Sequence, residues 1–318
     1  MALLLTEEDV TRLLTMDVAI EAVEEAFRLQ AEGKATNSPR SRMRLPNGAF
    51  VFMSAAAPGM GVMGLKAYGA TRGHAAKFYV QLSSTKTGEL LALIEAFALG
   101  QIRTGAASGV ATKYMAREDA STVGIIGVGK QARTQLEAVC RVRDIRVAKV
   151  FSRTPERRES FAAEMGQKLG INVVATASAE ACVNGSDIII IITNSSSPVL
   201  NGEWLSAGAH VNAAGANHWM RRELDDEAVR RSSVIVVDDV EQAKIECGDL
   251  IYPVEQGIIW WEQVRSLSEV VAGRASGRVA ADNITLFESQ GIALEDIAVG
   301  VKIYELAKER GVGRELPF

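Results

Sequence analysis

Cysteine is scarce in this chain of 318 residues, which contains Cys140, Cys182 and Cys247 and no others. Three widely spaced cysteines, an odd number, do not provide the framework of a small disulfide-stabilised secreted domain. They are instead typical of a protein kept in a reducing compartment. We therefore expect a cytoplasmic protein.

Histidine, positive charge and long apolar runs are also in short supply. His74, His210 and His218 have no metal-ligand spacing to the cysteines, so we expect no bound metal. The formal net charge of -4 lacks the basic footprint of a nucleic-acid-binding protein. The aliphatic run from Ile188 to Ile192 is too short to cross a bilayer, and the apolar residues near the start have no basic leader before them. The sequence thus predicts a small-molecule partner, with no nucleic acid and no membrane.

The first third of the chain has a mixed pattern. Thr6 and Thr15 are candidate helix N-caps, and Gly33 is a candidate helix stop. Between about residues 38 and 93, glycines and prolines separate short apolar runs, which is typical of a largely antiparallel sheet. Thr87-Gly88 has the composition of a hairpin turn. This region is predicted to be an α+β domain.

The pattern changes after an alanine-rich connecting helix over about residues 103–116. Strands at Thr122–Gly127 and Ala148–Phe151 alternate with helices at Gln131–Val142 and Pro155–Leu169. Further strands are predicted at Asn172–Ala175, Asp187–Thr193, Ala209–Ala213 and Val234–Asp238. Such alternation predicts a parallel sheet covered on both faces. A final amphipathic helix, over Leu294–Arg310, is expected to return to the N-terminal domain.

A glycine-rich loop follows the first strand of this alternating region, with the sequence Gly127-Val128-Gly129-Lys130-Gln131-Ala132. Gly127 permits a tight turn, and Gly129 lets the backbone approach a pyrophosphate at the helix N-terminus. The loop predicts an α/β fold with a Rossmann-type doubly wound parallel sheet; the alternative is a tight turn without a ligand. The candidate cofactor-binding residues in this loop, at later strand ends and in the preceding connecting helix are Thr104, Gly127, Val128, Gly129, Gln131, Thr193 and Ala214.

The end of the second strand of this region bears on the choice of nicotinamide cofactor. An NAD site usually has an acid there for the ribose 2′-hydroxyl, whereas this chain has Ser152-Arg153-Thr154, followed by Arg158. Arg153 is placed to pair with a 2′-phosphate, so NADPH is favoured over NADH. The alternative is that these arginines are solvated charges at a helix start.

Several further motifs occur in a fixed order along the chain. They are Met63-Gly64-Leu65-Lys66, Arg103-Thr104-Gly105-Ala106-Ala107-Ser108, the stretch from Gly208 to Ala216, Arg222-Glu223-Leu224-Asp225, and the stretch from Ile284 to Gly291. With the glycine loop, they make the chain similar to the ornithine cyclodeaminase/mu-crystallin family over nearly its whole length. The resemblance implies a dinucleotide-binding domain over residues 113–289. It also implies a substrate-binding and dimerisation domain over residues 1–112 with 290–318, and an active site between the two domains.

The resemblance assigns three cations to the substrate: Arg40, Lys66 and Arg103. Arginine holds a carboxylate with a bidentate fork, which suits a 2-imino or 2-amino acid. Lys66 would orient the substrate and deliver a proton. For Arg42 and Arg44, we retain the interpretation as surface charges.

Two departures from the family pattern bear on the reaction. Asn217 stands where cyclodeaminases have an acid, and an amide cannot act as a base at neutral pH. Val51 stands where they have a glutamate for the ornithine amine. We therefore expect an NAD(P)H-dependent reductase of a 2-imino acid, a homodimer, with Lys66 and Asn217 as the catalytic candidates. The alternatives are an alanine dehydrogenase, an ammonia-eliminating cyclodeaminase, or a non-catalytic crystallin-like binding protein.

Overall fold

The computed structural model describes residues 2–317 of the chain. The chain divides into two compact units, one comprising Met1–Arg103 with Gly291–Phe318 and the other Thr104–Gln290. The division falls inside a helix, earlier than the predicted limit at residue 112. The binding and dimerisation roles of the two domains stay predictions.

The first unit begins with a strand and two helices, followed by a set of five strands. The elements are β1 (Leu3–Leu5), α1 (Glu7–Leu13), α2 (Met16–Ala31), β2 (Thr36–Leu45), β3 (Gly48–Ala57), β4 (Val62–Thr71), β5 (Lys77–Ser84), β6 (Leu90–Glu95) and α3 (Phe97–Met115), which enters the second unit. Thr6 and Thr15 cap α1 and α2 as predicted. Leu3–Leu5, for which no strand was predicted, forms β1 by pairing in parallel with β6, a contact from distant sequence.

The second unit alternates strands and helices from residue 122 onward. Its elements are β7 (Thr122–Ile126), α4 (Lys130–Val142), β8 (Val147–Phe151), α5 (Pro155–Leu169), β9 (Asn172–Ala175), α6 (Ala179–Val183), β10 (Ile188–Ile191), β11 (His210–Ala213), α7 (Asp226–Arg231), β12 (Ser232–Val237), α8 (Val240–Glu246), α9 (Gly248–Glu255), β13 (Val264–Ser266), α10 (Leu267–Val271) and β14 (Ile284–Glu288). The strands form one sheet in the order β13-β12-β14-β11-β10-β7-β8-β9. Every pair in it is parallel. The predicted doubly wound α/β fold is confirmed.

The chain then returns to the first unit with α11 (Ala293–Arg310) and β15 (Arg314–Glu315). The sheet of this unit has the order β15-β1-β6-β5-β4-β3-β2 and is antiparallel except for the β1–β6 pair. Helix α11 packs against α2 and against one face of β3 and β4, as expected for the final helix. Its buried side chains include Ile297 and Ile303. This packing places the first turn of α11 at the inner face of the sheet.

None of the helices in residues 2–317 has the length and apolar character needed to cross a membrane.

Candidate functional site

Arg40 lies at an irregularity in the edge strand of the first unit. The β2–β3 register shifts between Ser38 and Ser41, which is where Arg40 stands. Such a bulge redirects side chains relative to the regular strand alternation. The Arg40 side chain is buried, and its Nη2 donates a hydrogen bond of 2.7 Å to the carbonyl oxygen of Gly291.

Lys66 lies on β4, on the face of the sheet that α11 covers. Strand pairing places it opposite Met53 on β3 and Val80 on β5, both fully buried. Its Nζ donates to Asp296 Oδ1 at 2.7 Å and lies 5.6 Å from the centre of the Phe78 ring. Only 4% of Lys66 is exposed, so its ammonium group depends on Asp296 for charge compensation.

Arg103 approaches the same carboxylate from α3. Its Nε donates to Asp296 Oδ1 at 3.1 Å, and its Nη1 donates to Glu295 Oε2 at 2.7 Å. Asp296 therefore accepts from both Arg103 and Lys66 through one oxygen. Arg40, Lys66, Arg103, Glu295 and Asp296 form the group of side chains that we call the cation cluster.

Sequence reasoning missed the two acids of the cation cluster. Glu295 and Asp296 lie in the first turn of α11, where acids ordinarily complement the helix dipole at the surface. Here both are buried, with 1% and 0% exposed. Their signal in the sequence is the position directly after the motif ending at Gly291, within the one helix predicted to return to the first domain.

The buried cation cluster shifts the pKa values of its members. Burial, together with Arg103 and Arg40, lowers the pKa of Lys66 to about 8, although Asp296 opposes the shift. Burial raises the pKa of Glu295 to about 7, and the neighbouring Asp296 adds to this against the opposing effect of Arg103. Burial disfavours the ionised form of Asp296 as well, but Arg103 and Lys66 outweigh it and hold that pKa below its ordinary value.

The charge of the cation cluster suits an anionic ligand. Three of its five members are cations and two are carboxyl groups, so these five groups together carry one net positive charge when all are ionised. Glu295 Oε1 and Asp296 Oδ2 are buried and have no hydrogen-bond partner among residues 2–317. A ligand with a carboxylate and an N–H group could match both features, because buried polar atoms ordinarily have partners.

In the second unit, the glycine loop joins β7 to α4 at the point where the order of strands reverses. Later strands β8 and β9 lie on one side of β7, and β10 and β11 lie on the other. Gly127 has φ +107°, and a Cβ there would lie 2.3 Å from the carbonyl oxygen of Ile192. A Cβ on Gly129, in contrast, would meet no atom of the described residues within 4 Å. The open space beside Gly129 and the α4 N-terminus fit a dinucleotide pyrophosphate.

The other predicted cofactor residues of this unit lie at the same edge of the sheet. Ser152, Arg153 and Thr154 directly follow β8, Thr193 follows β10, and Ala214 follows β11. The buried Oε1 of Gln131, at the start of α4, has no hydrogen-bond partner within the described part of the chain. Val128 is half-buried within the loop.

Three further predicted cofactor-binding residues, Arg153, Arg158 and Thr104, lie in different surroundings. Arg153 is exposed at the end of β8. Arg158 donates from Nη1 to the Ser152 carbonyl oxygen at 2.9 Å, and its guanidinium lies over the Phe151 ring. The carbonyl oxygen of Thr104, at the start of the α3 segment in this unit, accepts from Gln135 at 3.1 Å. Arg153 is therefore an exposed cation directly after β8, while Arg158 stabilises the turn at Ser152 through its hydrogen bond.

Asn217 and Val51 lie in contrasting environments. Asn217 is exposed in the loop that follows β11. Val51 is 3% exposed on β3 and pairs with Tyr68 of β4. Its partner on the other side is Arg42 of β2. Val51 is thus buried without offering a carboxylate, while the catalytic role of Asn217 stays a prediction.

A second set of buried acids lies in the second unit, and sequence reasoning missed it too. Glu223 Oε1 accepts from the Thr193 backbone N–H at 2.7 Å and from its hydroxyl at 2.5 Å. Asp249 Oδ1 accepts from the backbone N–H groups of Glu223 and Leu224, each at 2.8 Å. Burial, followed by the Asp249 carboxylate, raises the pKa of Glu223 to about 7 against the hydrogen bonds from Thr193. This network fixes the loop after β10. Glu223 and Leu224 come from the motif Arg222-Glu223-Leu224-Asp225, whereas Asp249 belongs to none of the motifs found in the sequence.

No group of three or more His, Cys, Asp or Glu side chains within residues 2–317 could hold a metal ion.

Comparison with known proteins decides the family. A model of the ornithine cyclodeaminase/mu-crystallin family matches residues 1–311. The chain belongs to this family. The predicted resemblance is confirmed.

Solved structures of three relatives match over the whole chain. Δ1-pyrroline-2-carboxylate reductase of Thermococcus litoralis, in complex with NADH and L-proline, is 40% identical with a TM-score of 0.94, covering 99% of this chain and 100% of that one. An archaeal alanine dehydrogenase dimer with bound NAD is 38% identical with a TM-score of 0.94, covering 100% and 99%. The iminosuccinate reductase of Paracoccus denitrificans, in complex with NAD+, is 31% identical with a TM-score of 0.94, again covering 100% and 99%. The predicted class, a nicotinamide-dependent oxidoreductase of imino or amino acids, agrees with all three.

Proposed function

We propose that this protein reduces a 2-imino acid with a nicotinamide cofactor, as a ketimine reductase or by reductive amination of a 2-oxo acid. The observation that carries the proposal is the cation cluster, in which Arg40, Lys66 and Arg103 are all buried. Burying three cations costs free energy, and a purely structural, non-catalytic protein would not need them. The family relatives that bind NADH, NAD or NAD+ support the same reaction class.

Each residue of the cation cluster would have a definite task. Arg103, with Arg40 beside it, would hold the substrate carboxylate, and the excess positive charge of the cluster would stabilise it. The Lys66 ammonium would donate a proton to the imine nitrogen and regain it from solvent after reduction. Its pKa of about 8 leaves the proton in place at neutral pH while making it easy to transfer.

A bound nicotinamide supplies the hydride that forms the new C–H bond at the imine carbon. The overall reaction consumes one hydride and one proton and converts C=N to CH–NH. Gly127, Val128, Gly129 and Gln131 would hold the pyrophosphate, with Thr193 and Ala214 beside it and Thr104 as a further candidate. We propose that NADPH is favoured over NADH, because Arg153 is exposed at the end of β8 and no acid stands at that position.

We also propose that the protein is a homodimer in the cytoplasm. Strand pairing places Met43, Leu45, Phe50 and Tyr79 on the sheet face opposite to Lys66 and α11. All four are at least 40% exposed, which makes a large apolar surface for a folded protein. The alanine dehydrogenase relative was solved as a dimer, which supports the same assembly. Size-exclusion chromatography with light scattering tests the mass.

The test of the activity is a substrate screen with NADPH and with NADH. The substrates are 1-pyrroline-2-carboxylate, 1-piperideine-2-carboxylate, and pyruvate with either ammonia or methylamine. We expect oxidation of the cofactor with at least one cyclic imine. Cofactor binding without turnover of any substrate would favour the crystallin-like binding protein instead.

The two alternative enzyme activities predict different outcomes in the same screen. An alanine dehydrogenase would act on pyruvate with ammonia and, in reverse, on L-alanine, in preference to cyclic imines. A cyclodeaminase would release ammonia from ornithine. Val51 has no carboxylate and Asn217 cannot act as a base, so these two positions offer neither of the acids expected for that elimination.

A further inference from the structure

The proton donor of the proposed reaction and the clamp for the substrate carboxylate share one oxygen atom. Asp296 Oδ1 accepts from Lys66 Nζ at 2.7 Å and from Arg103 Nε at 3.1 Å. Asp296 is fully buried, so water does not screen either contact. Lys66 and Arg103 come from a strand and a helix that are separate in sequence, and α11 joins them through this residue.

We propose that Asp296 is the positioning residue of this site, setting both the place and the protonation of Lys66 and the orientation of Arg103. The inference rests on the proposed function. It assigns the positioning of Lys66 and Arg103 to a residue of the protein itself. Asp296 Oδ1 is occupied by the two cations, whereas Oδ2 has no partner among the described residues. The free oxygen would accept the N–H that forms once Lys66 has protonated the imine nitrogen, so that Asp296 also keeps this nitrogen beside Lys66.

The charges around Lys66 explain why one carboxylate matters. Burial disfavours its ammonium form, and Arg103 and Arg40 disfavour it further. Asp296 opposes all three effects through its charge and its hydrogen bond. Glu295 is the other acid of the cluster, but its ion pair is with Arg103. Without Asp296, Lys66 would lose its proton at a lower pH, and the donor would be absent at neutrality.

The test is Asp296→Asn, which keeps nearly the same shape and an oxygen acceptor but removes the charge. The measurement is the pH dependence of kcat/KM with the imino acid that the wild-type enzyme reduces. In the wild type, activity should fall on the alkaline side as Lys66 loses its proton near pH 8. In Asp296→Asn, this alkaline limb should move to lower pH by about 1–3 units, the range that a close opposite charge controls. The KM for the imino acid should rise, while the Kd for NAD(P)H stays unchanged.

A matched control is Glu309→Gln, which removes an exposed acid from the same helix. It should leave both the alkaline limb and the KM at wild-type values. An alkaline limb in Asp296→Asn equal to that of wild type overturns the proposal, even if kcat falls, because a merely structural acid would lower activity without moving it.

If Asp296→Asn does not fold, as judged by loss of a cooperative thermal transition, Asp296→Glu provides the second test. It retains the charge but moves the carboxylate by one methylene. We expect a wild-type alkaline limb with a reduced kcat, because Lys66 Nζ is displaced; wild-type kcat and KM would overturn the proposal. Failure of the proposed function is recognised separately, since the wild-type enzyme would then reduce none of the imino acids.

Discussion

Gly291 lies directly against the guanidinium of Arg103. A Cβ at Gly291 would come within 2.6 Å of Arg103 Nη1 and 3.2 Å of its Cζ. The same glycine has φ +73° and accepts the hydrogen bond from Arg40 Nη2 through its carbonyl oxygen. One residue without a side chain thus lets two of the three cations occupy their positions.

The first prediction is that Gly291→Ala raises the KM for the imino acid about 10–100-fold, because a misplaced binding group is costly. The added methyl group must displace Arg103, and the carbonyl that holds Arg40 shifts with it. Steady-state kinetics check this, with the Kd for NAD(P)H expected to stay constant. Gly311→Ala is the matched control, since Gly311 also has a positive φ of +62° but a Cβ there meets no described atom within 4 Å. An equal KM increase in both variants would attribute the effect to backbone strain alone.

The sequence predicts the sheet of the second unit well because its strands and helices are local signals. The apolar run Ile188–Ile191 lies within a predicted buried strand, and in the structure it forms β10 with none of its residues exposed. The glycine loop is also local, and its position at the reversal of strand order agrees with the motif. Short elements late in the unit, such as β13 and α10, were not predicted, because their apolar residues are too few to show a period.

The cation cluster could be predicted only in part. Family motifs predicted Arg40, Lys66 and Arg103. In the structure, Lys66 and Arg103 bind Asp296, and Arg103 also binds Glu295. Arg40 binds the Gly291 carbonyl. Glu295 and Asp296 could not be found from local pattern, since acids in the first turn of a helix are ordinary surface residues. Their burial depends on tertiary packing of α11 against the sheet, which no local signal encodes.

The second prediction concerns Lys66→Met, which replaces the ammonium with an unbranched apolar side chain of similar length. Removing the proton donor should lower kcat about 10²–10⁴-fold, the usual contribution of general acid catalysis. Binding of NAD(P)H, measured by fluorescence titration, should be unchanged. Lys77→Met, at an exposed position of β5, should retain wild-type kinetics. A Lys66→Met enzyme with wild-type kcat would remove Lys66 from the proposed mechanism.

The third prediction separates the two glycines of the cofactor loop. Gly129→Ala should fold with an unchanged Tm, because its φ of −72° suits alanine and the space around it is open. The methyl group would occupy the space proposed for the pyrophosphate, so the Kd for NAD(P)H should rise about tenfold or more. Gly127→Ala should instead destabilise the fold, because its φ is +107° and the carbonyl oxygen of Ile192 is too close. Wild-type cofactor affinity in Gly129→Ala would argue that the loop is a turn without a ligand.

The fourth prediction is that Arg153→Asp shifts the cofactor preference toward NADH. A charge-assisted hydrogen bond to a phosphate contributes about 1.5–3 kcal/mol, so kcat/KM with NADPH should fall about 10–100-fold. The new carboxylate can accept from the ribose 2′-hydroxyl, so kcat/KM with NADH should hold or rise. Arg157→Asp, in the first turn of α5, makes the same charge change and should alter the NADPH to NADH ratio much less. If the NADPH to NADH ratio of kcat/KM is unchanged in Arg153→Asp, Arg153 is a solvated surface charge that does not contact the cofactor.

The fifth prediction is a pH-dependent stabilisation by Glu288→Gln in the second unit. Burial, followed by the nearby Asp249 and Glu223, raises the pKa of Glu288 well above its ordinary value. The folded protein therefore holds a proton there that the unfolded chain releases, so stability is lost as pH rises above the ordinary glutamate range. Glutamine cannot ionise and still offers an oxygen to Cys247, whose Sγ lies 3.5 Å from Glu288 Oε2.

Glu288→Gln should consequently raise the Tm by about 2–4 °C at pH 8 and leave it nearly unchanged at pH 5. His210 acts with the opposite sign, because burial lowers its pKa to about 3 and stability falls as pH drops below the ordinary histidine range. Since His210 is present in both proteins, its effect cancels when their Tm values are compared at each pH by scanning calorimetry. Glu262→Gln, at an exposed position, should change neither value. The same Tm difference at pH 5 and pH 8 would contradict an ionisation-dependent effect, because the cost of Glu288 grows with pH only as the unfolded chain ionises there and the folded protein keeps the proton.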